Sequence, residues 1–153
     1  YLGYTVEVQR YLPLYRGDRI LLLRALLAKQ STINDNAIPF YELNSLDLDH
    51  GLRGFSRGRW RDRGRLLFNV EWRYPVWERM QGSLFYDVGQ VFRDFRDLES
   101  RTFRYSAGMG FRFTTRQQFT FRAHLAISED GVLAVLKGDL EFLRRRGSVL
   151  GGF

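Results

Sequence analysis

The sequence predicts an all-β fold, an antiparallel transmembrane β-barrel, with about seven strands in its 153 residues. Three observations predict it. Apolar and polar residues alternate along seven segments, as they do when successive side chains point to opposite faces of a sheet. The connections between these segments are alternately short and long, which is the layout of an outer-membrane barrel. The longest apolar run, at residues 20–28, is interrupted by Arg24 and is too short for a transmembrane helix.

The first two strands are predicted at residues 4–14 and 20–29, with a short turn at residues 16–19 between them. Their alternation is less regular than that of the later strands. A long segment without strand-like alternation follows at about residues 30–63. Around its end, residues 50–64 read HGLRGFSRGRWRDRG and are rich in glycine and arginine. We therefore predict a long loop between the second and third strands of the barrel.

Five further strands are predicted at residues 64–75, 82–92, 102–114, 119–128 and 132–142. Short turns are predicted at residues 78–81 and 116–118, and a longer connection at about residues 93–101. The sequence Glu-Asp-Gly at residues 129–131 predicts a tight hairpin on the long-loop side. The strand at residues 64–75 alternates most clearly. One face carries Leu66, Phe68, Val70, Trp72 and Tyr74, and the other carries Leu67, Asn69, Glu71 and Arg73.

A soluble sandwich or a lipocalin-like barrel is the alternative, because it also alternates apolar and polar residues. Two features favour the membrane barrel. The polar faces carry several arginines, which is typical of a water-filled interior rather than of one solvated sheet face. The apolar faces carry many aromatic residues near the strand ends, as the interfacial girdles of membrane barrels do.

Composition narrows the classes of function. The formal charge is +7, from 24 Lys and Arg against 17 Asp and Glu, which is compatible with nucleic acid, acidic lipid or lipopolysaccharide as partners. A nucleic-acid partner is not expected, because no basic face shows exposed aromatic positions for stacking. The absence of cysteine excludes disulfides and thiolate metal sites. His50 and His124 have no metal-ligand spacing, and no nucleophile or phosphate-loop motif occurs. We therefore expect no enzyme activity and no catalytic, cofactor-binding or metal-binding residues.

Four segments together resemble, in the same order, the Omp85 superfamily, and more narrowly its members related to BamA and TamA (the bacterial surface antigen D15 region). These are LRGF at residues 52–55, NVEWRYPV at 69–76, FYDVGQVF at 85–92 and YSAGMGFRF at 105–113. The resemblance covers about residues 4–142. It implies a sixteen-stranded barrel in which residues 1–153 form the C-terminal portion, strands 10–16, with an inward-folding loop at about residues 30–63.

The resemblance also implies that the Arg-Gly-Phe tip of this loop packs on the inner wall of the barrel. Glu71 and Asp87 share the polar parity of neighbouring predicted strands, so Arg53 is expected to reach both carboxylates through charge-assisted hydrogen bonds. A buried arginine needs such acidic partners. The plainer alternative is that Arg53 is a solvated loop charge and that the two carboxylates balance other charges inside the barrel.

Three residues are expected to support this docking by their size and shape. Gly54 would allow a backbone conformation closed to other residues and a close approach to the wall. Phe55 would pack beside it, and Gly89 would leave room on the strand. The remaining loop arginines are expected to face water or lipid phosphate without a specific role. These are Arg57, Arg59, Arg61 and Arg63.

The resemblance implies a barrel of the bacterial outer membrane that takes part in the insertion, assembly or translocation of outer-membrane proteins. Its expected partners are outer-membrane lipid and lipopolysaccharide, client outer-membrane proteins and accessory lipoproteins. The last strand, at residues 132–142, would form one side of a weak seam, with Gly138 as its weak point. The alternatives are a structural or enzyme-tethering surface-antigen barrel with a patatin-like passenger, and a soluble all-β binding module.

Overall fold

The computed structural model describes residues 1–14, 18–32, 38–115 and 119–140. It contains nine strands in this part of the chain. They are β1 (Leu2–Leu14), β2 (Arg19–Ser31), β3 (Asn44–Leu46), β4 (Trp60–Asp62), β5 (Gly64–Trp77), β6 (Met80–Phe92), β7 (Arg104–Thr114), β8 (Phe119–Ser128) and β9 (Gly131–Leu140). No helix in these ranges is long and apolar enough to cross a membrane.

Seven of the strands form one antiparallel sheet in the order β1-β2-β5-β6-β7-β8-β9. Each strand pairs with the next strand of this order along nearly its whole length. Within the described residues the sheet does not close on itself, and β1 and β9 are its edges. The fold is therefore an open segment of an antiparallel β-barrel, which confirms the predicted class.

All seven predicted strands are present, with small differences at their ends. The turn predicted at residues 78–81 is only Glu78–Arg79, because both flanking strands extend towards it. The strand predicted from residue 102 begins at Arg104, because Ser100–Thr102 forms a 3-10 turn. Three predicted parts lie outside the described residues: the turn at residues 116–118, residues 16–17 of the turn predicted at 16–19, and residues 141–142 of the last predicted strand.

The strand register gives the sheet two chemically different faces. We call the face covered by residues 38–63 the inner face, and the opposite one the outer face. The outer face leaves large apolar side chains open: Phe68 is 44% exposed, Phe111 40% and Phe121 42%. Their strand neighbours Glu71, Arg112 and Arg122 have the opposite parity and point to the inner face. The outer face is therefore mainly apolar, and the charged residues of the sheet lie on the inner face, where the loop packs.

The buried core lies between the loop and the inner face. The loop is not irregular throughout, because β3 and β4 form a small hairpin, and Phe40–Glu42 and Leu48–His50 form 3-10 turns. The fully buried apolar cluster joins loop residues to strand residues. Its members are Leu26, Ala28, Leu46, Leu52, Phe55 and Leu67. Burial of this cluster holds the loop on the sheet.

One end of the outer face is covered by the connection between β6 and β7. Here the Lys29 ammonium group donates a 2.7 Å hydrogen bond to Asp94 and lies 4.6 Å from the ring centroid of Phe95. The Phe95 ring also packs on Phe92, with the ring centroids 5.3 Å apart. At this end the apolar outer face is therefore bordered by a compact group of polar and aromatic side chains.

Candidate functional site

The tip of the loop is tied to the sheet by Arg53. Its Nε donates to Oδ2 of Asp87 at 2.9 Å, and its Nη2 donates to Oδ1 of the same carboxylate at 2.8 Å. Its Nη1 bonds to Glu71. The guanidinium carbon also lies 3.6 Å from the centroid of the Phe85 ring, a cation–π contact. One loop side chain thus binds two strands through both carboxylates that the sequence predicted for it.

Asp87 is fully buried and is the acceptor for several donors. Besides the Arg53 guanidinium, it accepts hydrogen bonds from the Arg53 backbone N–H at 3.2 Å and from the Asn69 amide at 2.7 Å. The Ser106 hydroxyl donates at 3.4 Å. Asn69 and Ser106 are the residues paired directly with Asp87 on the two neighbouring strands. The register of the sheet therefore places two hydrogen-bond donors beside this carboxylate, and together with Arg53 they form a polar socket around it.

The electrostatics of the socket favour the charged form of the arginine. Burial alone lowers the pKa of Arg53, but hydrogen bonds and charges from Asp87 and Glu71 outweigh burial and leave the pKa above its ordinary value. Arg73 donates a second hydrogen bond to Glu71, at 2.6 Å. With the partners in place the cluster is a compensated ion network, whereas loss of one partner would leave an uncompensated buried charge.

Gly54 lies between two serines of the inner face. A Cβ at this position would be 2.5 Å from Cβ of Ser106 and 2.8 Å from Cβ of Ser128. The hydroxyl of Ser128 donates a 2.8 Å hydrogen bond to the Gly54 carbonyl. The expected close approach to the wall is therefore present. The expected special backbone conformation is not: the loop glycines with positive φ are Gly51 (103°) and Gly58 (68°).

Phe55 is fully buried and packs edge-on against Trp60, with the ring centroids 6.4 Å apart. Gly89 leaves room on its strand, for which the sequence had named no occupant. A Cβ at Gly89 would be 2.6 Å from Cδ2 of Leu46, so the space on the strand is filled by the β3 leucine. The sequence did not indicate this contact, because nothing in the alternation of residues 30–63 predicted the small β3–β4 hairpin.

Asp47 organises the loop behind its tip, a role that sequence reasoning missed. It accepts hydrogen bonds from the Gly58 N–H at 2.6 Å, the His50 N–H at 3.2 Å and the His50 ring at 2.7 Å. Burial alone raises the pKa of Asp47, but these hydrogen bonds outweigh it and leave the pKa below its ordinary value. Aspartate followed within a few residues by glycine is common in turns, because its side chain accepts hydrogen bonds from nearby backbone N–H groups. Among the described residues no group of His, Asp and Glu could hold a metal ion.

Arg59 makes a second attachment, although no role was predicted for it. Its guanidinium bonds to both carboxylate oxygens of Asp130, at 2.9 and 3.3 Å, in the turn between β8 and β9. Trp60 beside it contacts two guanidinium groups, those of Arg59 at 5.0 Å and Arg104 at 4.4 Å from the ring centroids. Arg104 also pairs with Glu129 of the same turn, at 2.8 Å. We call Arg59, Trp60, Arg104, Glu129 and Asp130 the rim cluster.

An apolar outer face, a charged inner face and a long loop bound to that inner face define a segment of a transmembrane β-barrel with a docked internal loop. The sequence model of the Omp85 superfamily domain matches residues 1–133. The chain belongs to the Omp85 superfamily, which confirms the resemblance carried by its segments LRGF (residues 52–55) and FYDVGQVF (residues 85–92).

The fold agrees with this membership. The chain is similar to the crystal structure of BamA from Haemophilus ducreyi lacking POTRA domains 1–3, with a TM-score of 0.73 and 16% sequence identity. The match covers 90% of this chain and 35% of that one, so the chain spans about a third of the length of that BamA structure. At this identity the similarity concerns the fold. No curated protein sequence matches the chain.

Proposed function

We propose that this chain is part of a bacterial outer-membrane barrel that takes part in the insertion, assembly or translocation of outer-membrane proteins. Membership of the Omp85 superfamily supports this proposal. The observation that carries it is the docking of Arg53 on Asp87 and Glu71, because it fixes a long loop to the inner face of the segment. The chain itself has no proposed catalytic role.

Within such a barrel, residues 1–153 would be the C-terminal portion, corresponding to strands 10–16, and residues 30–63 the inward-folding loop. The five strands that follow the loop support this assignment. The outer face would contact lipid hydrocarbon, which accounts for the exposure of Phe68, Phe111 and Phe121. The same exposure weighs against a soluble binding module, since soluble proteins rarely leave so large an apolar face open.

The seam would lie at β9. In the described residues β9 pairs on one side only, with β8, so the backbone groups of its other side are free to pair with another strand. Gly138, opposite Phe121, lies within β9 and has no side chain to pack, which weakens pairing at that point. The rim cluster connects the loop to the β8–β9 turn, so loop docking would also hold this last hairpin in position.

Crosslinking in the full-length protein tests this function. A photoreactive residue at Leu136 of β9 should capture newly made outer-membrane proteins. The same residue at Leu84 of β6 should not, because β6 is paired on both sides. Leu136 and Leu84 are both exposed on the outer face, so Leu84 is a matched control. Equal capture at both positions, or none at either, would contradict the proposal that strands of newly made outer-membrane proteins pair with β9.

Lipopolysaccharide and outer-membrane lipid are the proposed surroundings of the outer face, and accessory lipoproteins are proposed partners of the whole barrel.

The second candidate function is that of a structural or enzyme-tethering barrel. It shares the docked loop and the apolar outer face but would show no client crosslinks at Leu136. The crosslinking experiment therefore separates the two functions.

A further inference from the structure

A β-bulge next to the turn between β5 and β6 changes the direction of Trp77. Pro75 has the inner parity of β5 and is paired with Gln81. Between Pro75 and Trp77 the register shifts by one residue, so that Trp77 is paired with Met80. Met80 is in turn paired with Phe113, which has the outer parity. The bulge therefore places Trp77 on the outer face, where it is 79% exposed.

A recess of about 250 Å³ lies at this end of the outer face. Its lining residues are Trp77, Glu78, Arg79, Met80 and Phe113. They belong to β5, β6, β7 and the turn, and all three strands are paired on both sides, so further strands of a complete barrel would not cover the recess. Phe113 follows Phe111 on the outer face of β7. The recess is therefore continuous with the surface that is proposed to contact lipid.

The neighbouring part of the outer face has the composition of a membrane interface. Trp72 and Tyr74 lie on the outer face of β5 just before the bulge, with their ring centroids 5.0 Å apart. The Tyr74 ring lies over Gly82 of β6, where a Cβ would be 2.6 Å from Cζ of Tyr74. Trp and Tyr concentrate at the boundary between hydrocarbon and water. The turn at residues 78–79 is therefore expected at the level of the lipid headgroups.

The turn presents one anionic and one cationic side chain next to each other. Glu78 and Arg79 are both exposed, and neither side chain has a hydrogen-bond or ion-pair partner among the described residues. The Arg79 carbonyl accepts a 3.0 Å hydrogen bond from the Thr114 N–H, which ties the turn to β7. A guanidinium suits a phosphate group, and a carboxylate suits an ammonium group. The turn thus offers a partner for each charge of a zwitterionic headgroup.

We propose that the recess and the turn bind a phospholipid whose headgroup carries both a phosphate and a primary ammonium group. Arg79 binds the phosphate, Glu78 accepts a hydrogen bond from the ammonium group, and the recess takes the start of an acyl chain. The apolar lining favours a lipid over a free water-soluble phosphate. The inference rests on the proposed contact of the outer face with lipid and does not depend on a role in protein assembly.

The test uses the full-length protein in detergent micelles and measures its apparent affinity for added lipids by native mass spectrometry. The probes are phosphatidylethanolamine, phosphatidylglycerol and phosphatidylcholine with identical acyl chains. All three carry the phosphate, but only phosphatidylethanolamine has an ammonium group with N–H donors. It should bind about fivefold more tightly than the other two, because it alone gains the charge-assisted hydrogen bond to Glu78.

Two variants separate the two halves of the site. Arg79→Gln should weaken the binding of all three lipids by about fivefold, because it removes the phosphate contact. Glu78→Gln should remove the preference for phosphatidylethanolamine without weakening phosphatidylglycerol. The controls are Arg96→Gln and Glu99→Gln, which make the same charge changes at exposed positions of the β6–β7 connection. Both controls should leave the three affinities unchanged.

The proposal is overturned if the three lipids bind equally to the unmodified protein, or if the Glu78 variant responds like the Glu99 variant. In either outcome lipid still binds, so the contact of the outer face with lipid stands and only this site is refuted. If no lipid of any kind binds, the lipid contact fails together with the site. The client crosslinks at Leu136 are measured separately, so failure of this site is distinguishable from failure of the proposed function.

Discussion

Arg53 and Asp87 are 34 positions apart in the sequence, yet the guanidinium of one makes a two-pronged contact with the fully buried carboxylate of the other, at 2.9 and 2.8 Å. This contact joins the tip of a long loop to the middle of β6. Because Asn69 and Ser106 also donate to Asp87, the carboxylate is held in position by its own sheet neighbours. The arginine side of the contact is therefore the side that can be removed without rearranging the strands.

Arg53→Ala should release the loop tip. It leaves Asp87 buried without its cation, and breaking a buried pair in this way typically costs about 3–5 kcal/mol. Cleavage of the loop by proteinase K, which does not need arginine, should become much faster than in the unmodified protein. Arg96→Ala is the control and should leave the cleavage rate unchanged. A silent Arg53→Ala would show that the loop is held by its apolar cluster alone.

Exchanging the charges, with Arg53→Asp combined with Asp87→Arg, should restore loop protection only in part. The exchanged pair can still attract, but an arginine at position 87 cannot accept the hydrogen bonds from Asn69 and Ser106. Protease protection should therefore lie between that of Arg53→Ala and that of the unmodified protein. Complete recovery would mean that the attraction of the two opposite charges alone holds the loop, and that the hydrogen bonds from Asn69 and Ser106 contribute nothing to its protection.

Gly54→Ala should destabilise the docked loop by about 1–3 kcal/mol, because the added methyl group would overlap the Cβ atoms of Ser106 and Ser128. Gly3→Ala is the matched control, since its added Cβ would lie 3.5 Å from Gln30, an ordinary contact. Thermal unfolding of the two variants gives the comparison. Equal effects would show that Gly54 does not need to approach the wall so closely.

Acid should loosen the loop through Asp47. The pKa of Asp47 is lowered in the folded state, so its contribution is complete above the unfolded pKa of about 3.9 and is lost as the pH falls through the lower folded value. Loop protection measured by hydrogen exchange at Gly58 should hold from pH 7 to about pH 5 and decline below about pH 4. In Asp47→Asn this decline should be shallower. An identical pH profile in the variant would contradict the assignment.

Arg59→Ala should change local opening more than overall stability. The Arg59–Asp130 pair is partly exposed, and exposed ion pairs contribute little to global unfolding. Amide hydrogen exchange at residues 129–131 should nevertheless increase, because the pair restrains the β8–β9 turn. Arg61→Ala is the control, because Arg61 contacts only other loop residues in these bonds: the carbonyls of Phe40 and Tyr41 at 3.4 Å and the Phe40 ring at 5.2 Å from its centroid. Unchanged hydrogen exchange in the Arg59 variant would contradict the claim that the rim cluster restrains the β8–β9 turn.

The strands were predictable because alternation reports directly which residues face which side of a sheet, as in Gly64–Trp77. The same parity placed Glu71 and Asp87 on the face where Arg53 meets them. The partner of Gly89 was not predictable, because it depends on how the β3–β4 hairpin folds within the loop. Contacts such as Arg59 with Asp130, 71 residues apart, depend on the three-dimensional path of the loop, which a periodic pattern does not encode.

The central claim is that the outer face contacts lipid while the inner face is wetted, and adjacent residues of β7 test it most directly. Phe111 has the outer parity and Arg112 the inner parity, and residues 1–153 contain no cysteine; any cysteine elsewhere in the full-length protein is first replaced by serine. Single cysteines are placed at each position in the full-length protein, and a water-soluble maleimide is applied to the membrane-embedded barrel. The account predicts fast labelling at position 112 and little at position 111. Fast labelling at 111 with protection at 112 would contradict it.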